Sequence, residues 1–187
     1  HGLEFVPATR TFSSVFPDGG WLGVDQDIDK TVASISVFSE PDAARWREMA
    51  TEFGSDAPHI FSILGTPMPS WALLKVLYQA WRTKGRTWCL DTLRLILSSP
   101  REFLDEHFES KEVKALMAAW GMHLDFAPDV AGGALFPYLE SMASQSFGMV
   151  LGKGGAATIV RSMTSFLESL GGEIHLSATV IQVNLEA

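Results

Sequence analysis

Cysteine is almost missing from this sequence. Cys89 is the only one in 187 residues, so neither an internal disulfide nor a cysteine-based zinc site can form. Basic residues are scarce as well. There are 14 Lys and Arg against 22 Asp and Glu, a formal charge of -8, and the cations are scattered singly. A nucleic-acid surface needs a basic stripe, and none is written here. Charged residues of all kinds make up only 19% and hydrophobic residues 47%, which excludes a disordered chain. No apolar run approaches the ~18 residues that a membrane-spanning helix needs. Internal repeats and low-complexity tracts are absent too. Collagen, coiled-coil arrays, zinc fingers and disulfide scaffolds are thereby ruled out.

The sequence opens on His1-Gly2-Leu3-Glu4-Phe5, with no initiator Met and no basic segment leading an apolar one, so no signal peptide is written in it. It is already strand-like there, and 180–185 alternates like a half-buried strand up to the last residues. The expectation is an internal segment of a longer protein, cytoplasmic and in peripheral contact with a membrane.

What is present is mostly helical periodicity. Pro17-Asp18-Gly19-Gly20 is turn chemistry between two β-prone runs, which predicts a hairpin of 12–16 with 21–24. Ser39-Glu40-Pro41-Asp42 reads as a helix cap opening a helix through Trp46, Met49 and Phe53, with Gly54 as its expected stop. Thr66 to Ser70 breaks the pattern. Residues 71–81 are then almost wholly apolar, with Lys75, Gln79 and Arg82 confined to one narrow stripe. Residues 90–97 form a similar apolar helix, and Ser99-Pro100-Arg101-Glu102 is a capping box opening the next. Further helices are expected over 110–122, 133–145 and 156–170. Strands are expected over 146–151, 173–176 and 179–185. The fold class is therefore α+β. A hairpin and a mostly helical region occupy 1–145, and a strand, glycine turn, helix and returning strands with βαβ-like character occupy 146–187.

Reactive chemistry is thinly represented. Gly152-x-Gly154-x-x-Ala157 fits the form of a dinucleotide fingerprint, but no acidic residue follows at the end of the next strand to hold a ribose. A glycine turn fitting a helix to a strand accounts for it as well. A phosphate-binding P-loop fails, because Gly154 stands where Ser or Thr must follow Lys153. The five histidines include no i, i+4 pair, and no G-x-S-x-G elbow occurs. His123, beside Trp120, suits a partly buried structural histidine better than a general base. The apolar stretch 71–81 has two readings: a buried core helix, or an apolar wall facing a hydrophobic ligand or a membrane. With no nucleophile and no metal site in the pattern, an enzyme built on this chain would rely on a cofactor.

Several segments, taken in order, resemble a known family. They are Gly2 to Phe5 (GLEF), Phe16 to Gly19 (FPDG), Phe108 to Trp120 (FESKEVKALMAAW) and Gly121 to Leu124 (GMHL). They continue through Pro128-Asp129, Gly154-Gly155, Leu170 to Leu176 (LGGEIHL) and Val180 to Val183 (VIQV). Together they are similar to the phytoene-desaturase-like FAD-dependent oxidoreductases, in the phytoene-dehydrogenase-related branch. After the glycine pair the family commonly continues Met-Gly-x-Leu, where this chain has Ala156-Ala157-Thr158-Ile159.

The resemblance implies a split FAD-binding domain, with this chain as the inserted substrate-binding region and the returning strands. It implies FAD contacts at Val180, Gly154 and Gly155. It also implies an apolar substrate, to which Trp71, Leu74, Tyr78 and His123 are assigned, with hydride passing between substrate and flavin. The fragment alone is then expected to be inactive. An amine-oxidase-like flavoprotein segment and a non-enzymatic helical module for lipid or a partner remain as alternatives.

Overall fold

A computed structural model describes residues 1–184. Among them the chain is α+β, with seven helices and four short strands. By contacts it divides into two units, Thr9–Met149 and His1–Ala8 with Val150–Ala187.

The larger unit begins with a hairpin. Strands β2 (Arg10–Val15) and β3 (Trp21–Asp25) pair antiparallel, with Phe12 opposite Val24 and Val15 opposite Trp21. The turn closes where its chemistry predicts, with the Phe16 N–H donating to the Gly20 carbonyl. Helix α1 (Ile28–Ser36) follows, capped by Asp27, whose side chain accepts from the Asp29 N–H. Sequence patterning overlooked it, because its polar first turn hides the short series Ile28, Val32, Ile35.

Helix α2 (Glu40–Leu64) starts at the Ser39 cap as expected but passes straight through Gly54. Its buried residues Trp46, Met49, Phe53, Ala57 and Ile60 continue one stripe at helical spacing beyond that glycine, and even beyond Pro58. Packing of that stripe outweighs a local propensity cost of about 1 kcal/mol for a glycine.

Helix α3 (Trp71–Leu97) joins the two apolar segments read separately in the sequence. They remain distinct helices in geometry, because Gly85, at φ 86° and ψ 176°, breaks the helical backbone between them. That region of backbone space is open essentially only to glycine. Helix α4 (Pro100–His107) carries the full capping box at Ser99 and Glu102. Helices α5 (Lys111–His123) and α6 (Leu135–Phe147) complete the unit.

Its core is continuous. Leu22 and Val24 from β3 and Ile35 from α1 meet Trp46, Met49 and Phe53 of α2. Leu104 of α4, Leu116 and Met117 of α5, and Leu139 and Met142 of α6 close it. Two buried polar contacts tie distant segments together. The Trp46 indole donates to Gln145 Oε1 at 3.1 Å, while Gln145 Nε2 donates to the Asp25 carbonyl at 3.0 Å. The Asp42 carboxylate accepts from the backbone N–H groups of Glu109 and Ser110, both at 2.8 Å.

In the smaller unit β1 (Phe5–Ala8) pairs with β4 (Met149–Gly152), and α7 (Ala157–Ser169) follows the glycine turn. Lys153 bonds Glu4 twice, N–H to carbonyl at 2.8 Å and Nζ to carboxylate at 2.9 Å. The Ser162 hydroxyl donates to the His1 carbonyl at 2.7 Å, and the His1 ring meets Phe166 edge-on. The expected βαβ-like arrangement is corrected here. Residues 173–176 and 179–184 lie in no strand, and Leu185 falls outside the described residues. Strand β4 itself is shorter than expected, since 146 and 147 belong to α6. Alternating β-branched residues make 179–184 compatible with a strand, but a ladder needs a partner, and the pairings among the described residues are β1 with β4 and β2 with β3.

Candidate functional site

The larger unit holds a cleft of about 390 Å³ between α2, the second half of α3, α4 and α6. The elements that build it are positioned by their inner stripes: Met49 and Ile60 from α2, Trp88 and Leu95 from α3, Phe103 from α4 and Tyr138 from α6. Its rim is polar. Lys84 Nζ lies 2.7 Å from Asp56 and donates to the Ser55 hydroxyl at 2.8 Å. Arg45 meets Glu52 at 3.8 Å, and Arg94 meets Glu106 at 2.9 Å. Its cations are thus matched by its own carboxylates.

Two titratable rings face this cleft. Burial, with Arg45 adding to it, pushes the His107 imidazole below its usual value, so it is neutral at pH 7. Burial, reinforced by Asp56 and Glu52, pushes the Tyr138 hydroxyl well above the usual phenol range. Neither ring contacts a nucleophile: His107 stacks edge-on against Phe103 at 4.7 Å, and Tyr138 lies edge-on to Phe53 and Phe103. Among the described residues no group of three or more His, Cys, Asp or Glu is placed to hold a metal ion. Nothing in the sequence singled out this cleft. Its lining comes from four helices whose order along the chain does not reveal their assembly.

The residues assigned to substrate lie elsewhere. Trp71, Leu74 and Tyr78 fall on one face of the first half of α3, at i, i+3 and i+7, and none lines the cleft. That face is uncovered: Trp71 is 82% exposed, Leu74 54% and Tyr78 57%. Leu77 and Trp81 extend it and are exposed too. The same half-helix packs through Leu73, Val76, Ala80 and Lys84, and of these only Ala80 is fully buried. The reading of 71–81 as a buried core helix is therefore corrected. The reason is that only one side of this half-helix has a neighbour. His123 sits at the end of α5, exposed, with its ring edge-on to Trp120 at 6.1 Å.

A measurable consequence follows for Leu74. Leu74→Ala should change stability by less than about 0.5 kcal/mol, as surface substitutions do. Ala80→Leu, which forces bulk into the packed side, should cost about 1–3 kcal/mol. Urea titrations of both variants check this, and a loss of about 2 kcal/mol or more for Leu74→Ala would place that side chain in a core.

The residues assigned to FAD lie in the smaller unit. Gly154 and Gly155 have φ of 88° and 90°, so the turn needs glycine for its backbone shape alone. A Cβ at Gly155 would meet nothing within 4 Å, and one at Gly152 would meet only the Gly155 carbonyl at 3.4 Å and Ile159 at 3.9 Å. The turn closes on itself, the Gly155 N–H donating to the Gly152 carbonyl at 2.9 Å and the Thr158 hydroxyl to the Lys153 carbonyl at 3.0 Å. Val180 is exposed and in no strand. These residues do not form a flavin cradle by themselves: the sequence lacks the acid that would hold a ribose, and among the described residues no strand follows α7 to carry it.

No known protein family, curated protein or solved structure matches this chain. What the fold and the geometry define is an α+β chain with a small polar cleft and a separate, uncovered apolar helix face.

Proposed function

We propose that the chain is the substrate-binding segment of a FAD-dependent oxidoreductase of the phytoene-desaturase-like kind. In this reading it acts on an apolar substrate and works in peripheral contact with a membrane. The observation that carries the reading is the exposed aromatic and aliphatic face of α3, a surface suited to apolar molecules, on a chain whose motifs follow the family's order.

A second uncovered face supports the split-domain part. Helix α7 exposes Ile159, Val160, Met163 and Phe166 along one side, and Leu170, just after its end, is exposed too. In a split flavin domain this side packs against the remainder of that domain, near Gly154-Gly155 and Val180. FAD bound in the complete protein would supply the hydride chemistry. This chain's residues would bind and orient the substrate and keep water from it.

The test has two arms. The visible spectrum of the full-length parent should show bound flavin, and a colourless parent refutes the reading. Equilibrium dialysis of this 187-residue chain against FAD should show no stoichiometric micromolar binding, since its glycine turn lacks a ribose partner. Tight binding by the chain alone would make the turn a complete site.

A further inference from the structure

We propose that the ridge running from the Met68 loop along the first half of α3 is a docking surface for membranes bearing anionic lipid headgroups. The inference deepens the peripheral-contact part of the function proposed above, and is independent of the flavin chemistry.

At 100° per residue, Trp71, Leu74, Leu77, Tyr78 and Trp81 occupy an arc of about 120° on α3. Met68, just before the helix, is exposed beside them in sequence. The inward arc, centred on Ala80, is already occupied by packing within the unit. Lys75 and Arg82 fall on the flank next to Trp71 and Tyr78, and both are exposed. Long cationic side chains on such a flank reach out toward headgroups while their stems cover apolar surface. Trp and Tyr are the side chains that settle best at the boundary between acyl chains and headgroups. No helix among the described residues is long and apolar enough to cross a membrane, so the geometry is that of a helix lying on the surface.

Charge decides the kind of occupant. From Ala57 to Leu90 there is no Asp or Glu, and Lys75, Arg82, Lys84 and Arg86 carry all the formal charge. The rest of the chain is left with ten Lys and Arg against 22 Asp and Glu. Lys84 is paired with Asp56, but among the described residues Lys75, Arg82 and Arg86 have no ion-pair partner. A chain this acidic is repelled by an anionic surface, and least so over a segment that carries no acid, so this ridge is the part that can approach one. A second copy fits poorly. A two-fold contact would set this segment against itself, cation facing cation with no acid in the segment to answer.

The experiment is flotation of the 187-residue chain with vesicles of phosphatidylcholine alone and of phosphatidylcholine with phosphatidylglycerol. Partitioning into the anionic vesicles should exceed that into neutral ones by about tenfold or more, and should fall with added salt. Replacing Lys75, Arg82 and Arg86 together by Ala should reduce it on the order of a hundredfold, at about fivefold for each cation near the surface. Lys111→Ala, at an exposed cation of α5 away from this segment, should leave it unchanged. Trp71→Ser with Trp81→Ser should weaken binding and abolish the blue shift of tryptophan emission, with far-UV circular dichroism unaltered. Equal partitioning into both vesicles, no partitioning at all, or a ridge-dependent dimer in sedimentation equilibrium overturns the proposal. A flavin-free parent whose chain still floats refutes the oxidoreductase reading alone, and a yellow parent whose chain stays in solution refutes the docking alone.

Discussion

Phe53→Ala should destabilise the larger unit by about 3–5 kcal/mol. The side chain is fully buried in the middle of α2, and three rings meet it edge-on: Tyr138 at 5.8 Å, Phe147 at 6.2 Å and Phe61 at 6.5 Å. Truncation removes both the burial of the ring and these edge contacts, and leaves a cavity between α2 and α6 that rigid helices cannot close. Phe147, at 67% exposure, is the control from the same cluster, and its replacement by Ala should cost about 1 kcal/mol or less. Guanidinium titrations followed by far-UV circular dichroism give both values. Similar losses at the two positions would mean that the cluster is not centred on Phe53.

The second large effect is expected at Asp42. Asp42→Ala should cost about 3 kcal/mol or more, because it leaves the buried N–H of Ser110 and the half-buried N–H of Glu109 without their charged acceptor. Each such bond contributes about 1.5–3 kcal/mol when the acceptor is ionised. Asp42→Asn keeps the shape but turns one acceptor into a donor facing an N–H, and should recover less than half of the loss. Amide exchange at Ser110 and at the first turn of α5 should accelerate in both variants. Protection unchanged in Asp42→Ala would show that the α4–α5 turn is held by something else.

Neither effect is readable from sequence spacing. Asp42 looks like an ordinary first-turn acid of a capped helix, favoured there by the helix dipole. Its second role depends on a turn 67 residues away in sequence. Gln145 is a similar case: a polar residue near the end of an apolar helix, whose amide spans from Trp46 to Asp25. The cleft lined by His107 and Tyr138 is likewise invisible until four helices are assembled.

Local signals, by contrast, carried through wherever the physics is local. The hairpin turn at Pro17 to Gly20, the caps at Ser39 and Ser99, and the break at Thr66 to Ser70 all stand where their residues place them. Each is set by backbone geometry or by a hydrogen bond within three or four residues, which the neighbouring sequence states directly. Helix ends governed by burial were misread. Gly54 looked like a stop, but an uninterrupted buried stripe through Ile60 carried α2 past it. The strands expected over 173–176 and 179–185 do not form among the described residues for the complementary reason, since alternation gives a strand its faces but not its partner.

Residue order alone thus determined the α+β class, the caps and turns, and the lack of acids and wealth of apolar residues between Ala57 and Leu90. Only the tertiary structure decided which apolar helix faces are buried. Periodicity tells how wide an apolar stripe is, but not whether another element lies against it. The stripe of α2 is enclosed by α1, α6 and α3, while among the described residues that of the first half of α3 has a neighbour on the Ala80 side only. Trp46 and Trp71 each belong to an apolar stripe of a long helix, one fully buried and the other 82% exposed, because burial is a property of neighbours and not of the helix that carries the residue.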